Sequence, residues 1–88
     1  MNTWDTEKER INFNKHGIHF STALSVLNDF VSLTREDDDV VGEQRFVTIG
    51  LDVLGRTLVV VWTYRENEIR LISARKATKK EQEKYYEG

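Results

Sequence analysis

Apolar residues are sparse over the first twenty positions and become dense and alternating after position 30, so the chain reads as helices followed by strands. From Thr6 to Lys15 only Ile11 and Phe13 are apolar. Asp5 precedes this stretch as a candidate N-cap, Glu7 and Glu9 stand near its start, Lys15 at its end, and Gly17 follows. That distribution complements the helix dipole and predicts a helix over 6–15 that covers the core lightly. A second short helix is predicted after Ser21, with Ala23, Leu24, Val26 and Leu27 turned inward. From Phe30 the period changes to two. Residues 31–34 alternate, 36–39 form a charged interruption, and 45–49, 57–64 and 68–74 read as β-rich strands. The stretch 58–62 is apolar throughout, as expected of a central strand covered on both faces. Connections of a few residues at 52–55 and 65–68 favour antiparallel hairpins. Thr78-Lys79-Lys80-Glu81 is a capping-box pattern opening a last helix towards Tyr86, too polar to be a core element. The expected architecture is α+β: two N-terminal helices, about four antiparallel strands and one C-terminal helix, in a single domain over residues 1–88.

Length and composition narrow the class. Eighty-eight residues support one thin core, so a deep enclosed active site is not expected and chemistry belongs on an open face. With no cysteine the chain has neither disulfides nor thiolate metal clusters, which suits a reducing cytoplasm. Its N-terminus lacks the basic and apolar regions of a signal peptide, and no apolar run approaches the roughly 20 residues that span a bilayer. The net charge of -2 conceals an asymmetry: residues 45–80 carry eight basic side chains against three acidic ones. A basic second half suits an anionic partner.

The candidate chemistry is concentrated there. Alternation about a two-residue turn at Glu66-Asn67 pairs Arg65 with Glu68, Thr63 with Arg70 and Val61 with Ile72. Thr63, Arg65 and Arg70 then share one sheet face, and Tyr64, Trp62 and Leu71 the other; a longer loop would shift this register. Arg75 falls at the strand exit. Guanidiniums grouped on one face offer rigid bidentate forks to phosphate. The competing expectation is ordinary surface pairing, Arg65 with Glu68 and Arg70 with Asp52 or Glu43. Lys15-His16-Gly17 puts an imidazole at a helix end, suited either to proton transfer or to capping the free carbonyls. His16 and His19 lack a third ligand at a supporting spacing, and the acidic run 36–39 lacks a calcium loop's spacing and turn glycine, so no metal site is expected. There is no glycine-rich phosphate loop or nucleophile elbow.

In order and spacing these residues resemble the BrnT toxins of bacterial type II toxin–antitoxin modules. The matching marks are Trp4-Asp5, Lys8, Asn12, Lys15-His16-Gly17, Phe20, Ala23, Gly42-Glu43, Arg45, Ile49-Gly50, Gly55-Arg56, Thr63, Arg65, Ile69-Arg70, Ile72-Ser73-Ala74-Arg75, Ala77 and Tyr85-Tyr86-Glu87. The chain departs from the family in having Asp29-Phe30 where Asp-Pro is usual, and its acidic net charge sets it apart from the strongly basic ribosome-dependent toxins of this fold. The resemblance implies a RelE-like small ribonuclease fold. It also implies cleavage of RNA that stops translation and growth, without a cofactor or metal. It further implies a bacterial cytoplasmic protein neutralised by a cognate antitoxin, in a heterotetramer that meets operator DNA only through the antitoxin. Under this reading Arg65 and Arg70 clamp phosphate and Arg75 is a third cation. His16 or Lys15 transfers a proton or positions the substrate, Glu43 is an alternative base, and Arg45, Arg56 and Thr63 assist RNA binding. The alternative is an inactive module retained as antitoxin partner and co-repressor. Tyr85 and Tyr86, two large amphipathic rings near the chain end, are expected to dock the antitoxin; replacing both by alanine should weaken that binding by about 2 kcal/mol or more with little effect on stability. The competing expectation is that one ring closes the core.

Overall fold

A five-stranded sheet organises the molecule, a computed structural model that describes residues 3–37 and 42–87. The elements run β1 (Thr3–Trp4), α1 (Thr6–His16), α2 (Phe20–Ala23) continued by a 3₁₀ helix (Leu24–Asn28), β2 (Leu33–Asp37), β3 (Arg45–Leu51), β4 (Thr57–Arg65), β5 (Glu68–Lys76) and α3 (Lys79–Glu87). Strand order is β1-β5-β4-β3-β2. The four antiparallel strands anticipated from the sequence are present, and the two-residue β1 adds a parallel partner to β5. The strand expected at 31–34 is displaced: β2 starts at Leu33 and takes in Glu36 and Asp37, while Asp38 and Asp39 of the expected charged loop lie outside the described residues.

Local rules explain the element ends. Asp5 Oδ1 accepts the amides of Glu7 and Lys8 at 2.8 and 3.2 Å, and Gly17, left-handed at φ 71°, ends α1 by donating to the Phe13 carbonyl. Glu66 and Asn67 are both left-handed, the two-residue turn whose twist matches paired strands. Ser21, expected as an N-cap, lies inside α2, whose cap position is His19 with no side-chain bond.

The hairpin register holds as far as Trp62 opposite Leu71 and then breaks. A bulge sets Val61 against Ser73, not against Ile72 as strict alternation predicted. The extra residue matters for polarity. Uninterrupted pairing would send Arg75 to the face of Leu58 and Val60; with the bulge, Ala74 takes that face and Arg75 shares the other with Arg70.

The two faces are covered differently. Leu58, Val60, Trp62, Leu71 and Ala74 pack with Ile18, Phe20, Ala23 and Val26 as the main core. On the other face Val47 and Val59 meet Ala77, at the entry to α3, beside Ile49 and Val61. α1 docks through a polar clasp: Ile11 and Phe13 stay exposed while Asn12 is buried. Asn12 Nδ2 donates to the carbonyls of Ala74 (2.8 Å) and Ile18 (3.3 Å), and its Oδ1 accepts the Ala74 amide at 3.1 Å.

A second polar hub fixes α3. Asp29 accepts the amides of Leu51 and Val31 and, at 2.5 Å, the Tyr85 hydroxyl. Gly50 permits the approach, because a Cβ there would lie 3.1 Å from Asp29 Oδ2, Ser32 Cβ and Val26 Cγ1. Tyr85 is 5% exposed. This corrects two expectations, that α3 takes no part in the core and that loss of both tyrosines spares stability: Tyr85 is a packing anchor. The bond to Asp29 and burial push its phenol up to about 12. Tyr85→Phe is expected to cost about 1–2 kcal/mol, read from urea unfolding, because Asp29 keeps its burial and loses a donor.

Candidate functional site

The sheet face that α3 covers only in part carries the chain's grouped arginines. Register puts Arg45, Thr63 and Arg70 in one row across β3, β4 and β5, with Arg65 opposite Glu68 at the hairpin end. Arg35, Val47, Val61 and Ser73 form the next row. With strands about 4.8 Å apart, the Cα atoms of Arg45 and Arg70 stand roughly 10 Å from each other, and long guanidinium side chains can converge on one phosphate.

Glu43 organises part of this group. Its carboxylate accepts from Arg45 Nε at 3.1 Å and Arg65 Nη2 at 3.3 Å. The Arg45 bond, with help from Arg65 and against some desolvation, holds Glu43 below the usual carboxylate range. A carboxylate so held is a weak proton acceptor. Arg65 stands opposite Glu68 in the register as expected and forms an ion pair with Glu43, and Arg70 bonds to neither Glu43 nor Asp52. Among the described residues no ion pair or side-chain hydrogen bond engages the half-buried Arg70 guanidinium.

Other expected site residues fall elsewhere. Thr63 has the right face but is 2% exposed, its hydroxyl donating to the Gln44 carbonyl at 2.5 Å, so it does not reach a ligand. Arg56 sits at the opposite end of the sheet, in the β3–β4 turn. Its Nε and Nη2 grip Asp52 Oδ2 at 2.8 and 2.7 Å. Burial pushes Asp52 up, but the bonds from Arg56 and from the turn amides prevail and hold it low. Its role is to close that turn.

Arg75 is committed to α3. Its Nη1 and Nη2 donate to the two Glu81 oxygens at 2.7 and 2.9 Å. Glu81 also accepts the Thr78 amide while its own amide donates to Thr78 Oγ1, completing the capping box read from the sequence. The Arg75 bonds, against desolvation and with Thr78, bring Glu81 down to about 2. A carboxylate lowered in the folded state contributes stability above its unfolded value near 4.5 and loses it below. The attachment of α3 is therefore expected to loosen as pH falls from about 4.5 towards 2, followed by amide exchange of residues 79–87.

Lys15 and His16 occupy the flank of β5. With Lys8, Ile11, Asn12, Ile72 and Ser73 they line a shallow depression of about 270 Å³ at the bulge. Ser73 belongs both to this depression and to the row next to Arg70, so flank and face meet at β5. Two cations, Lys8 and Arg35, were not among the site residues expected from the sequence. Lys8 shares a helix stripe with Ile11, Asn12 and Lys15 at spacings of three, four and seven, which was available to find it. Arg35 lay beyond the expected end of its strand. Among the described residues no three His, Asp or Glu side chains gather as metal ligands, and no helix is long and apolar enough to cross a membrane.

Comparison with known proteins adds to this geometry. The family model described as the ribonuclease toxin BrnT of type II toxin–antitoxin systems matches residues 4–81. No curated protein matches the chain. The crystal structure of the Brucella abortus ribonuclease toxin BrnT is similar with a TM-score of 0.65 and 20% identity, covering 90% of this chain and 100% of that one. At that identity the likeness shows the shared α+β fold. The family match runs from Trp4 to the first three residues of α3, well over half of the chain, and the chain belongs to the BrnT family of ribonuclease toxins of type II toxin–antitoxin systems.

Proposed function

We propose that this toxin, an endoribonuclease, cuts RNA on the open arginine face and the adjoining flank of β5 by metal-independent transesterification. A ribose 2′-hydroxyl attacks the neighbouring phosphorus, the bond to the 5′-oxygen breaks, and a 2′,3′-cyclic phosphate and a 5′-hydroxyl result. Arg70 and Arg45 hold the scissile phosphate and offset the charge that grows on it. Arg65 adds a cation at the hairpin end, with Glu43 orienting Arg45 and Arg65 rather than acting as base. His16 moves the proton, since imidazole both gives and accepts protons near neutral pH, and Lys15 and Lys8 draw the flanking backbone to the depression. Arg75 fastens α3 beside this surface. The observation that carries the reading is Arg70, a half-buried guanidinium without a carboxylate partner among the described residues, in register with Arg45.

A type II toxin works with an antitoxin partner. In the finer arrangement we favour, the pair forms a heterotetramer in the bacterial cytoplasm, operator DNA is met only through the antitoxin, and RNA cleavage stops translation. Induced expression without antitoxin tests activity: the wild-type chain is expected to arrest growth and Arg65→Ala to relieve it. Equal growth of both strains would mean an inactive partner and co-repressor instead.

A further inference from the structure

The two edges of the sheet are finished differently. Beyond β1, the outer edge of β5 is closed by Asn12, whose carboxamide takes both the amide and the carbonyl of Ala74. β2 is the opposite edge strand. Asp52 donates its amide to Arg56 across the β3–β4 turn and Leu51 donates its own to Asp29 on the β2 side. By alternation Ile49, Val47 and Arg45 bond towards β2, and their partners Leu33, Arg35 and Asp37 bond inward. Thr34 and Glu36 therefore turn amide and carbonyl outward, to an edge that no other described strand pairs.

This edge is rimmed by apolar surface. Phe30 is 104% exposed, Val31 65% and Tyr86 68%. Beside them runs a groove of about 470 Å³ lined by Val31, Ser32, Leu33, Tyr85 and Tyr86. It continues past Leu33 into a second hollow of about 290 Å³, floored by Leu33, Val47 and Ile49 and flanked by Arg35 and Lys84. An open strand edge beside large exposed apolar side chains is a surface that folded proteins ordinarily protect.

We infer that this edge and groove receive an extended, acidic-apolar segment of the antitoxin, which adds a strand to β2; the inference rests on the reading of the chain as a toxin with an antitoxin partner. Main-chain bonds to Thr34 and Glu36 would supply the pairing, and apolar side chains would fill the space between β2 and α3. Arg35 and Lys84 at the inner hollow select acidic residues in the segment. A second copy fits less well, because antiparallel self-pairing centred on Arg35 sets Arg35 against its own counterpart. Arg35 stands one row from Arg45 and Arg70, so the occupant would also reach the proposed RNA surface.

The test uses the full-length toxin and the full-length antitoxin of its module. Phe30→Ser with Tyr86→Ser removes exposed rings and is expected to weaken antitoxin binding about 30-fold or more by calorimetry. The same variant retains wild-type RNA cleavage when antitoxin is absent, so a failure here stays distinct from a failure of the ribonuclease reading. In the complex, exchange of the Thr34 and Glu36 amides is expected to slow. Arg35→Glu is expected to weaken binding about tenfold. Undiminished affinity in the Phe30/Tyr86 variant with unchanged exchange at Thr34 and Glu36 would overturn the inference. Loss of self-association in that variant with intact antitoxin binding would overturn it in favour of a second copy.

Discussion

Replacing Arg70 by alanine is expected to lower the rate of RNA cleavage by about 10²–10³, the loss typical of removing one well-placed donor to a developing anion. The guanidinium lies on the open face in register with Arg45, and no described carboxylate depends on it. Its removal should therefore leave the melting temperature nearly unchanged while the chemistry fails. Arg56→Ala supplies the contrast. It strips a buried carboxylate, Asp52, of its counterion at the far end of the sheet and should lower stability more than intrinsic activity. Single-turnover cleavage and thermal melting on both variants separate the two roles. Equal loss of activity in the two would remove Arg70 from the site.

Asn12→Ala is expected to be the most damaging small change to stability, about 3 kcal/mol. The side chain makes three hydrogen bonds, two of them to Ala74, 62 positions away. Alanine would leave a buried amide and carbonyl unpaired at the β5 edge, each costing about 1–3 kcal/mol, with some recovery by entering water. For a domain of this size the melting temperature should fall by roughly 12–24 °C. A fall below 4 °C would show that α1 is held by its apolar contacts instead.

What the sequence made legible was local. The Asp5 cap, the Gly17 stop, the Thr78–Glu81 box and the Glu66-Asn67 turn are written within a few residues of where they act, and each has its expected geometry. The polar clasps joining Asn12 to Ala74 and Asp29 to Tyr85 were not legible, since nothing near either residue announces a partner over fifty positions away. Nor was the bulge, because Ile72 fits a strand on either face. The same division runs through the site. Alternation placed Arg65 and Arg70 on the right face, but it could not show that Thr63 is sealed or that Arg75 is spoken for by Glu81. The pairing of Arg56 with Asp52, four residues apart across a turn, is an ion pair that spacing alone could have suggested.

The proposed chemistry is cleavage of RNA at this arginine face and the flank of β5 by the chain's own side chains. Its most direct test is to incubate the purified protein with RNA in excess EDTA and analyse the ends of the products. Fragments ending in 2′,3′-cyclic phosphate with 5′-hydroxyl partners, produced by the wild type and about 10²–10³ more slowly by Arg70→Ala, are the predicted result. Loss of all cleavage in EDTA, or equal cleavage by Arg70→Ala, would contradict it.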